Sequence, residues 1–269
     1  MSRLSVRVRR LTRAIADFKS RAASSIRYYG HLKEVTEAGK TEFGIQAANA
    51  RIDHEVSQIL QDLKASKSQF GQDLFVLSEL GFRRNGFFVE FGATDGVYLS
   101  NTHLLEYCYG WSGILAEPAS HWLRALTKNR SCAIDRRCVW HTTGEVLRFS
   151  EPRSAEFATI SQFVSSDMHG AMRADAREYD VETVSLMDLL TEHNAPSRID
   201  YISIDTEGSE FEILNAFDFD KYDVRTVTCE HNHTDQRERI YGLLTSAGFV
   251  RKFEELSGVD DWYVKVDQP

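Results

Sequence analysis

The chain has 269 residues, of which 42% are hydrophobic and 27% charged, with 16 Gly and only 4 Pro. This balance excludes disordered, collagen-like and low-complexity proteins and predicts a soluble globular chain with a sizeable core. No apolar run reaches the roughly 18 residues of a membrane-spanning helix, and no secretion signal follows the first residues. We therefore expect a cytoplasmic protein.

The cysteines show no CxxC spacing, which favours reduced thiols that pack in the interior over disulfides or a zinc site. They are Cys108, Cys132, Cys138 and Cys229.

The net charge of -8 is distributed unevenly along the chain. Residues 1–33 carry nine Lys or Arg and one acid, Asp17, which leaves 23 basic against 39 acidic residues in the remainder. Because the chain after residue 33 is strongly acidic, it repels the phosphate backbone of a nucleic acid. We therefore exclude nucleic acid as a substrate of this part of the chain.

The N-terminal region, 1–66, predicts two amphipathic helices joined by a loop. Apolar residues recur every three or four positions over 4–29 and again over 52–63. One interpretation is that these helices pack on the body or form a homo-oligomer as a coiled coil. The alternative is peripheral contact with the inner face of a membrane, since arginines cluster there. They are Arg3, Arg7, Arg9, Arg10, Arg13 and Arg21.

The second region, 67–269, alternates short apolar strands with helical stretches from about residue 87, which predicts βαβ units and a mostly parallel sheet. Four predicted strands end in or run into an acid. Because ligands bind at the carboxyl ends of parallel strands, we expect these acids to meet in one crevice. They are Glu90, Glu117, Asp205 and Glu230.

A glycine-containing turn follows the first predicted strand. Gly92 and Gly96 permit a tight turn and close approach of a ligand to the backbone, although their spacing is not that of a dinucleotide site. Glu117, at the end of the second strand, lies where a carboxylate binds both hydroxyls of a ribose. Together these features predict a nucleoside-containing ligand.

Three segments then point to a known family: FVEFGATDG from Phe88, LAEP from Leu115 and IDTEGSEFEIL from Ile204. Together they resemble the FkbM-type S-adenosylmethionine-dependent methyltransferases over about residues 67–266. The resemblance implies a class I methyltransferase, with a Rossmann-like α/β fold, a seven-stranded sheet and an antiparallel last strand. It also implies O-methylation of a sugar or natural product, and it assigns nothing to residues 1–66.

By the same resemblance, the turn after the first strand surrounds the methionine part of the cofactor. Glu117 then takes the ribose hydroxyls, and Asp135 or Arg136 lies against the adenine. The residues assigned to the methionine part are Glu90, Gly92, Asp95 and Gly96, with Asn101 and Thr102 close by. The alternative for Asp95 is a residue that caps its own turn.

Methyl transfer to an alcohol needs a base or a metal ion, because a sugar hydroxyl ionises only at alkaline pH. Asp205, Glu230 and Asn232 offer the hard oxygen ligands of Mg²⁺, placed as in catechol-type O-methyltransferases. The candidate bases are His231, Asp205 and Glu207. For Glu210 we favour a first-turn role at a helix start.

The stretch 151–180 has no clean periodicity, and long irregular stretches in compact domains are commonly binding loops. We assign it to the acceptor side, with candidate contacts Phe157, Phe163, Met168 and His169.

The sequence thus predicts an S-adenosylmethionine-dependent O-methyltransferase that acts on a sugar hydroxyl of a glycan or a glycosylated intermediate. The alternatives are an O-methyltransferase of a polyketide or other small natural product, and a non-catalytic binding protein that keeps the fold.

Overall fold

A computed structural model describes residue 58 and residues 61–165 and 169–266. The chain divides into two units, Met1–Ser66 and Lys67–Pro269. In the first unit residues 61–65 are helical. The remainder of the two predicted N-terminal helices lies outside the described residues, and their roles stay predictions.

The second unit alternates strands and helices from residue 72 onward. Its first half contains α1 (Gln72–Glu79), β1 (Phe87–Phe91), α2 (His103–Tyr109), β2 (Ser112–Ala116), α3 (Leu123–Asn129), β3 (Ala133–Asp135), β4 (Cys138–Trp140), β5 (Val146–Glu151) and β6 (Thr159–Ile160). Its second half contains β7 (Arg177–Ser185), α4 (Leu186–Glu192), β8 (Arg198–Ile204), α5 (Glu210–Asn215), β9 (Asp223–Glu230), α6 (Gln236–Ser246), β10 (Phe249–Lys252) and β11 (Asp260–Lys265).

In the described part of the chain, seven strands form the central sheet in the order β10-β11-β9-β8-β1-β2-β3. Neighbouring strands from β9 to β3 run parallel. The last strand, β11, inserts between β9 and β10 and is antiparallel to both. This topology confirms the predicted class I methyltransferase fold.

The strands of the central sheet are largely buried, because helices cover both faces of the sheet. On one face, α4, α5 and α6 bury Leu189, Leu214 and Leu244 against the strands. On the other face, Phe75 of α1 stacks on Trp262 of β11, with ring centroids 5.0 Å apart. The sheet is therefore rigid, and its carboxyl edge is a fixed platform for side chains.

A second sheet, in the order β4-β7-β5-β6, was not predicted from the sequence. It occupies part of the stretch interpreted as irregular, because β6 and the start of β7 fall within 151–180. Its core contains Trp140, Phe149 and Ile160. The rest of the stretch forms short 3₁₀ turns, among them Ala155–Phe157 and Gly170–Arg173.

Within the described residues, no helix combines the length and the apolar character needed to cross a bilayer.

Candidate active site

A cavity of about 320 Å³ opens at the carboxyl edge of the central sheet. Glu90, Glu117, Asp205 and Glu230, the four strand-end acids, all line it. The prediction that these acids meet in one crevice is thus confirmed. The second sheet supplies the opposite wall with Cys138, Val139, Phe149 and Ile160.

The turn after β1 brings two strand ends together at Gly92. Its φ is +72°, and a Cβ built there would lie 2.0 Å from the backbone oxygen of Asp205. The backbone of the turn therefore touches the end of β8 directly. This close approach places Asp205 beside the glycine turn, at the centre of the cavity.

Gly92→Ala is expected to lower the free energy of unfolding by about 1–3 kcal/mol or more, because the new methyl group meets backbone and the φ is strained. Gly144→Ala is the matched control, since Gly144 has a φ of +86° with nothing within 4 Å of a Cβ. Urea unfolding of both variants measures the difference. Equal losses would show that the close contact contributes nothing.

Glu90 faces the cavity but is already engaged by the segment that leads into α2. Its carboxylate accepts hydrogen bonds from the backbone N–H of Asn101 (2.6 Å) and from the hydroxyls of Ser100 (3.1 Å) and Thr102 (2.5 Å). Burial raises the pKa of Glu90, although the Arg130 guanidinium opposes the shift. Thus Glu90 fixes the backbone at Asn101 and holds Thr102 outside the cavity lining.

Asn101 presents an unused acceptor to the cavity. Its amide nitrogen donates to the Ser203 hydroxyl at 2.9 Å, but its buried Oδ1 has no hydrogen-bond partner among the described residues. A buried polar atom without a partner costs free energy. A ligand with an N–H or O–H group in the cavity would satisfy it.

Arg130 supports the end of the cavity near Asn101 without lining the cavity itself. This residue was not identified from the sequence. Its side chain is fully buried and donates to the Gly96 carbonyl (3.1 Å) and the Thr102 hydroxyl (2.9 Å). A Cβ at Gly96 would lie 2.4 Å from Arg130 Cγ. Gly96 therefore makes room for Arg130 and does not line the cavity.

Glu117 lies at the end of β2 with both carboxylate oxygens held by backbone. One oxygen accepts from the Thr94 N–H (2.9 Å) and the other from the Ala119 N–H (2.8 Å). Burial raises the pKa of Glu117 to about 8. Each oxygen keeps a second lone pair, so the carboxylate can still accept two hydroxyl groups from the cavity.

Asp95 does not line the cavity. Its Oδ1 accepts from the backbone N–H groups of Val97 (2.9 Å) and Tyr98 (2.7 Å), which is the turn-capping arrangement weighed for this residue. The turn it caps carries Tyr98, a half-exposed ring that lines the cavity. Asp95 thus acts on the cavity only through this turn, and sequence reasoning missed Tyr98.

Asp135 also lies outside the cavity lining, at the end of β3. Its carboxylate pairs with the Arg137 side chain (2.6 Å) and approaches His193 Nε2 at 3.2 Å. Burial acts to raise its pKa, but the hydrogen bonds from Arg137 and His193 outweigh burial and lower it. Arg137 and His193 therefore engage the Asp135 carboxylate, the group that was assigned to the adenine.

Three carboxylates meet on the floor of the cavity. Oxygens of Asp205, Glu207 and Glu230 all lie within 4.8 Å of one another. Burial and the carboxylates of Asp205 and Glu207 raise the pKa of Glu230 well above its usual range. Burial raises the pKa of Asp205 to about 7, opposed by a hydrogen bond from Glu230. The pKa values of both carboxyl groups are therefore raised, so the pair binds a proton more readily than free carboxylates do.

Glu207 is held by neighbours on both sides of the cavity. Its Oε2 accepts from the Arg173 guanidinium (2.8 Å) and the Asn232 amide (3.2 Å). Its backbone φ of +58° is unusual for a residue with a side chain. Glu210 accepts from the N–H groups of Thr206 and Gly208, both at 3.0 Å, which confirms its role at the start of α5.

The two residues after β9 point in different directions. Asn232 lines the cavity, and its buried Oδ1 has no partner among the described residues. His231 is not part of the lining. Its Nδ1 accepts from the His233 N–H (3.0 Å), and its Nε2 lies 3.7 Å from Asp261. Burial lowers the pKa of His231 to about 4. The structure therefore does not bring this histidine to the cavity as a base.

On the acceptor side, Phe157 and His169 line the cavity as a stacked pair with ring centroids 4.5 Å apart. Phe163 instead packs against Trp140 in the core of the second sheet, 6.0 Å between centroids. Met168 lies outside the described residues. Only the stacked pair can contact a ligand among the described candidates for this side.

The free energy of unfolding is expected to fall as pH rises from about 5 to about 8. Burial raises the pKa of Glu117 and Asp260 to about 8 and of Asp205 to about 7, so the folded state binds more protons than the unfolded state in this range. Each group contributes at most about 1.4 kcal/mol per pH unit. Urea unfolding at both ends of the range checks the sign, and Glu117→Gln should reduce the slope. Stability that rises with pH would contradict these shifts.

The sheet order, the glycine turn and a cavity at the carboxyl edge define a class I methyltransferase, which uses S-adenosylmethionine. Residues 90–256 match the sequence model of the family described as the methyltransferase FkbM domain. The match covers more than half of the chain, so this protein belongs to the FkbM methyltransferase family. No curated protein matches the sequence significantly.

Several solved methyltransferase structures are similar to this chain. The METTL16 MTase domain has 12% identity and a TM-score of 0.39, covering 72% of this chain and 66% of that chain. Precorrin-6y C5,15-methyltransferase from Geobacter metallireducens GS-15 has 12% identity and a TM-score of 0.34, covering 71% and 84%. Ribosomal protein L11 methylase from Lactobacillus delbrueckii subsp. bulgaricus has 9% identity and a TM-score of 0.36, covering 72% and 77%. With TM-scores below 0.5, these likenesses carry no argument about this chain.

Proposed function

We propose that the protein methylates a hydroxyl oxygen of a sugar in a glycan or a glycosylated intermediate, with S-adenosylmethionine as methyl donor. The observation that carries this proposal is the cluster of Asp205, Glu207 and Glu230 on the cavity floor, within 4.8 Å of one another. An alcohol is the acceptor that needs a strong base or a cation, and this cluster can supply either.

The residues present fit S-adenosylmethionine. At Gly92 the backbone lines the cavity with no side chain in the way. The Glu117 carboxylate has two lone pairs free to accept hydrogen bonds from ribose hydroxyls. The Asn101 Oδ1 atom has no hydrogen-bond partner among the described residues and could accept one from the cofactor. When bound, the cofactor supplies a methyl group on a positively charged sulfur. The surrounding carboxylates favour a cation and oppose anionic ligands such as phosphate.

Asp205 is the base in this proposal. Its carboxylate sits in the cavity with a pKa of about 7, close to the operating pH at which general bases work best. It would take the proton of the acceptor hydroxyl during methyl transfer, with S-adenosylhomocysteine as the leaving group. A hydrogen bond with Glu230 holds the orientation of the Asp205 carboxyl group.

As the alternative to Asp205 acting as a base, we propose that the cluster binds Mg²⁺ with its carboxyl groups ionised. The buried Glu230 Oε2 and Asn232 Oδ1 have no partner among the described residues, and both are hard oxygen ligands. Asp205 would complete the set, because Glu207 already pairs with Arg173. Bound Mg²⁺ would lower the pKa of the acceptor hydroxyl.

A sugar suits the acceptor side. Aromatic faces at Phe157 and Tyr98 border the same cavity as several hydrogen-bond acceptors. A sugar has apolar C–H faces and hydroxyl donors, so its binding site needs both aromatic surfaces and hydrogen-bond acceptors. A polyketide or other small natural product would need a more apolar pocket than one lined by six carboxylates, namely Glu90, Glu117, Glu156, Asp205, Glu207 and Glu230.

The test is transfer of a labelled methyl group from S-adenosylmethionine to a panel of sugars and glycans, with chelator and with added Mg²⁺. Transfer that chelator abolishes and Mg²⁺ restores supports the metal. Transfer that persists in chelator leaves Asp205 as the base and eliminates the metal. Absence of transfer to every sugar, with tight cofactor binding, would overturn the proposed acceptor class.

We propose that residues 1–66 serve assembly or docking, on the basis of their clustered arginines. Their deletion is expected to change the mass in solution or to abolish binding to vesicles that contain anionic lipid, while cofactor affinity stays nearly intact. Light scattering and vesicle sedimentation measure this. If neither property changes, the segment serves neither purpose.

A further inference from the structure

Arg173 ends the short 3₁₀ turn Gly170–Arg173, and its side chain is completely buried. Each of the three guanidinium nitrogens donates a hydrogen bond. Nε donates to the Phe157 carbonyl (2.7 Å), Nη1 to the Val164 carbonyl (3.2 Å) and Nη2 to Glu207 Oε2 (2.8 Å). One side chain therefore joins the acceptor-side chain to the acidic loop that follows β8.

The groups on the two sides of Arg173 both belong to the cavity. Phe157 lines it and stacks on His169, whereas Glu207 forms part of the floor next to Asp205. A second hydrogen bond, from the Thr159 hydroxyl to the Glu207 carbonyl at 2.9 Å, follows the same route. The distance between the aromatic pair and the acids thus depends on this connection.

Charge and geometry both require an arginine here. A buried guanidinium is tolerated when a carboxylate pairs with it, and among the described residues Glu207 is such a partner. Lysine carries the charge on a single nitrogen and cannot match the three directions of the planar fork. Glu207 in turn has a φ of +58°, a conformation that persists only where its surroundings hold it.

We propose that Arg173 is the positioning residue of the acceptor site: it sets the Phe157–His169 pair at a fixed distance from the catalytic acids. This inference rests on the proposed function. Arg173 acts through Phe157 and Glu207 and does not line the cavity. It therefore governs how the acceptor is held and leaves the cofactor end, around Glu117, unaffected.

The kinetic test compares Arg173→Met and Arg173→Lys with the wild-type protein. Arg148→Met is the matched control, since Arg148 is half-exposed on the second sheet and pairs with Glu178 and Asp180. We expect Arg173→Met to raise the acceptor KM at least tenfold while affinity for S-adenosylhomocysteine stays within about twofold. Arg173→Lys should recover part of the loss. A merely structural role would reduce the active fraction, and hence kcat, without moving KM.

A second measurement does not depend on the acceptor. Amide hydrogen exchange at residues 157–164 should be at least tenfold faster in Arg173→Met and in Glu207→Gln, with β1 and β8 unchanged. The double variant should exchange no faster than Arg173→Met alone, because that variant already removes every hydrogen bond of the guanidinium, including the one to Glu207. Unchanged exchange, or additive effects, would overturn the inference. If the wild-type protein methylates no sugar, the proposed function fails, whereas exchange still decides whether Arg173 holds this segment.

Discussion

Asp205→Asn is expected to lower the rate of methyl transfer by about 10²–10⁴-fold, the usual contribution of a general base, while S-adenosylhomocysteine affinity changes by no more than a few-fold. Asparagine keeps the size and the hydrogen-bonding oxygen of the side chain but cannot take a proton. Loss of rate without loss of cofactor affinity would therefore identify the proton acceptor or a ligand of the cation. Full activity in this variant would remove Asp205 from the chemistry.

The pH dependence sharpens this expectation. Because Asp205 must be ionised to act as a base and its pKa is raised to about 7, activity should rise as pH passes through about 7 and level off above it. Glu210→Gln is the control, since Glu210 lies outside the cavity lining and its carboxylate helps to raise the pKa of Asp205. It should shift the profile to lower pH and leave the plateau unchanged. If the pH dependence of activity is the same in Glu210→Gln as in the wild-type protein, Asp205 is not the titrating group.

Glu117→Gln is expected to weaken S-adenosylhomocysteine binding by about 10- to 100-fold, as loss of charged hydrogen bonds to two hydroxyls implies. Glutamine retains one oxygen for the Thr94 or Ala119 N–H, so the fold should survive. Asp95→Asn is the matched comparison, because its side-chain oxygen can still cap the turn at Val97 and Tyr98. Its affinity should remain close to that of the wild-type protein. Calorimetric titration measures both variants.

The same carboxylate gives the affinity a pH dependence. Burial raises the pKa of Glu117 to about 8, and ribose hydroxyls bind best to its ionised form. Affinity of the wild-type protein should therefore increase with pH up to about 8 and then level off. In Glu117→Gln this dependence should disappear. Equal slopes in the two proteins would contradict the ribose assignment.

The carboxyl edge of the sheet was predictable because parallel strands have a simple rule: apolar runs of five to eight residues end together at one edge. Glu90, Glu117, Asp205 and Glu230 follow such runs, and the structure brings all four to one cavity. Sequence also identified the turn at Gly92, since glycine there permits a backbone contact that any side chain would block.

The individual roles were less predictable, because they depend on turn conformations that sequence spacing does not fix. Asp95 lies in the glycine-containing turn, where a cofactor ligand was expected, yet its carboxylate caps the turn. His231 and Asn232 are neighbours in sequence, but only Asn232 lines the cavity, whereas His231 Nδ1 accepts a hydrogen bond from the His233 N–H.

The second sheet and Arg173 were missed for a related reason. β6 has two residues, too few for an alternating pattern to appear. Arg173 and Glu207 lie 34 residues apart, and their contact crosses 3₁₀ turns that carry no hydrophobic period. Only the folded chain shows that this pair links the two sides of the cavity.

The proposed function requires that the protein transfer a methyl group from S-adenosylmethionine to an oxygen atom of a sugar. The direct measurement uses a carbon-13 methyl donor and determines by NMR which acceptor atom carries the label after incubation with the wild-type protein or Asp205→Asn. We expect the label on a hydroxyl oxygen of the sugar with the wild-type protein and almost none with the variant. Label on a nitrogen or carbon atom, or undiminished transfer by Asp205→Asn, would contradict the account.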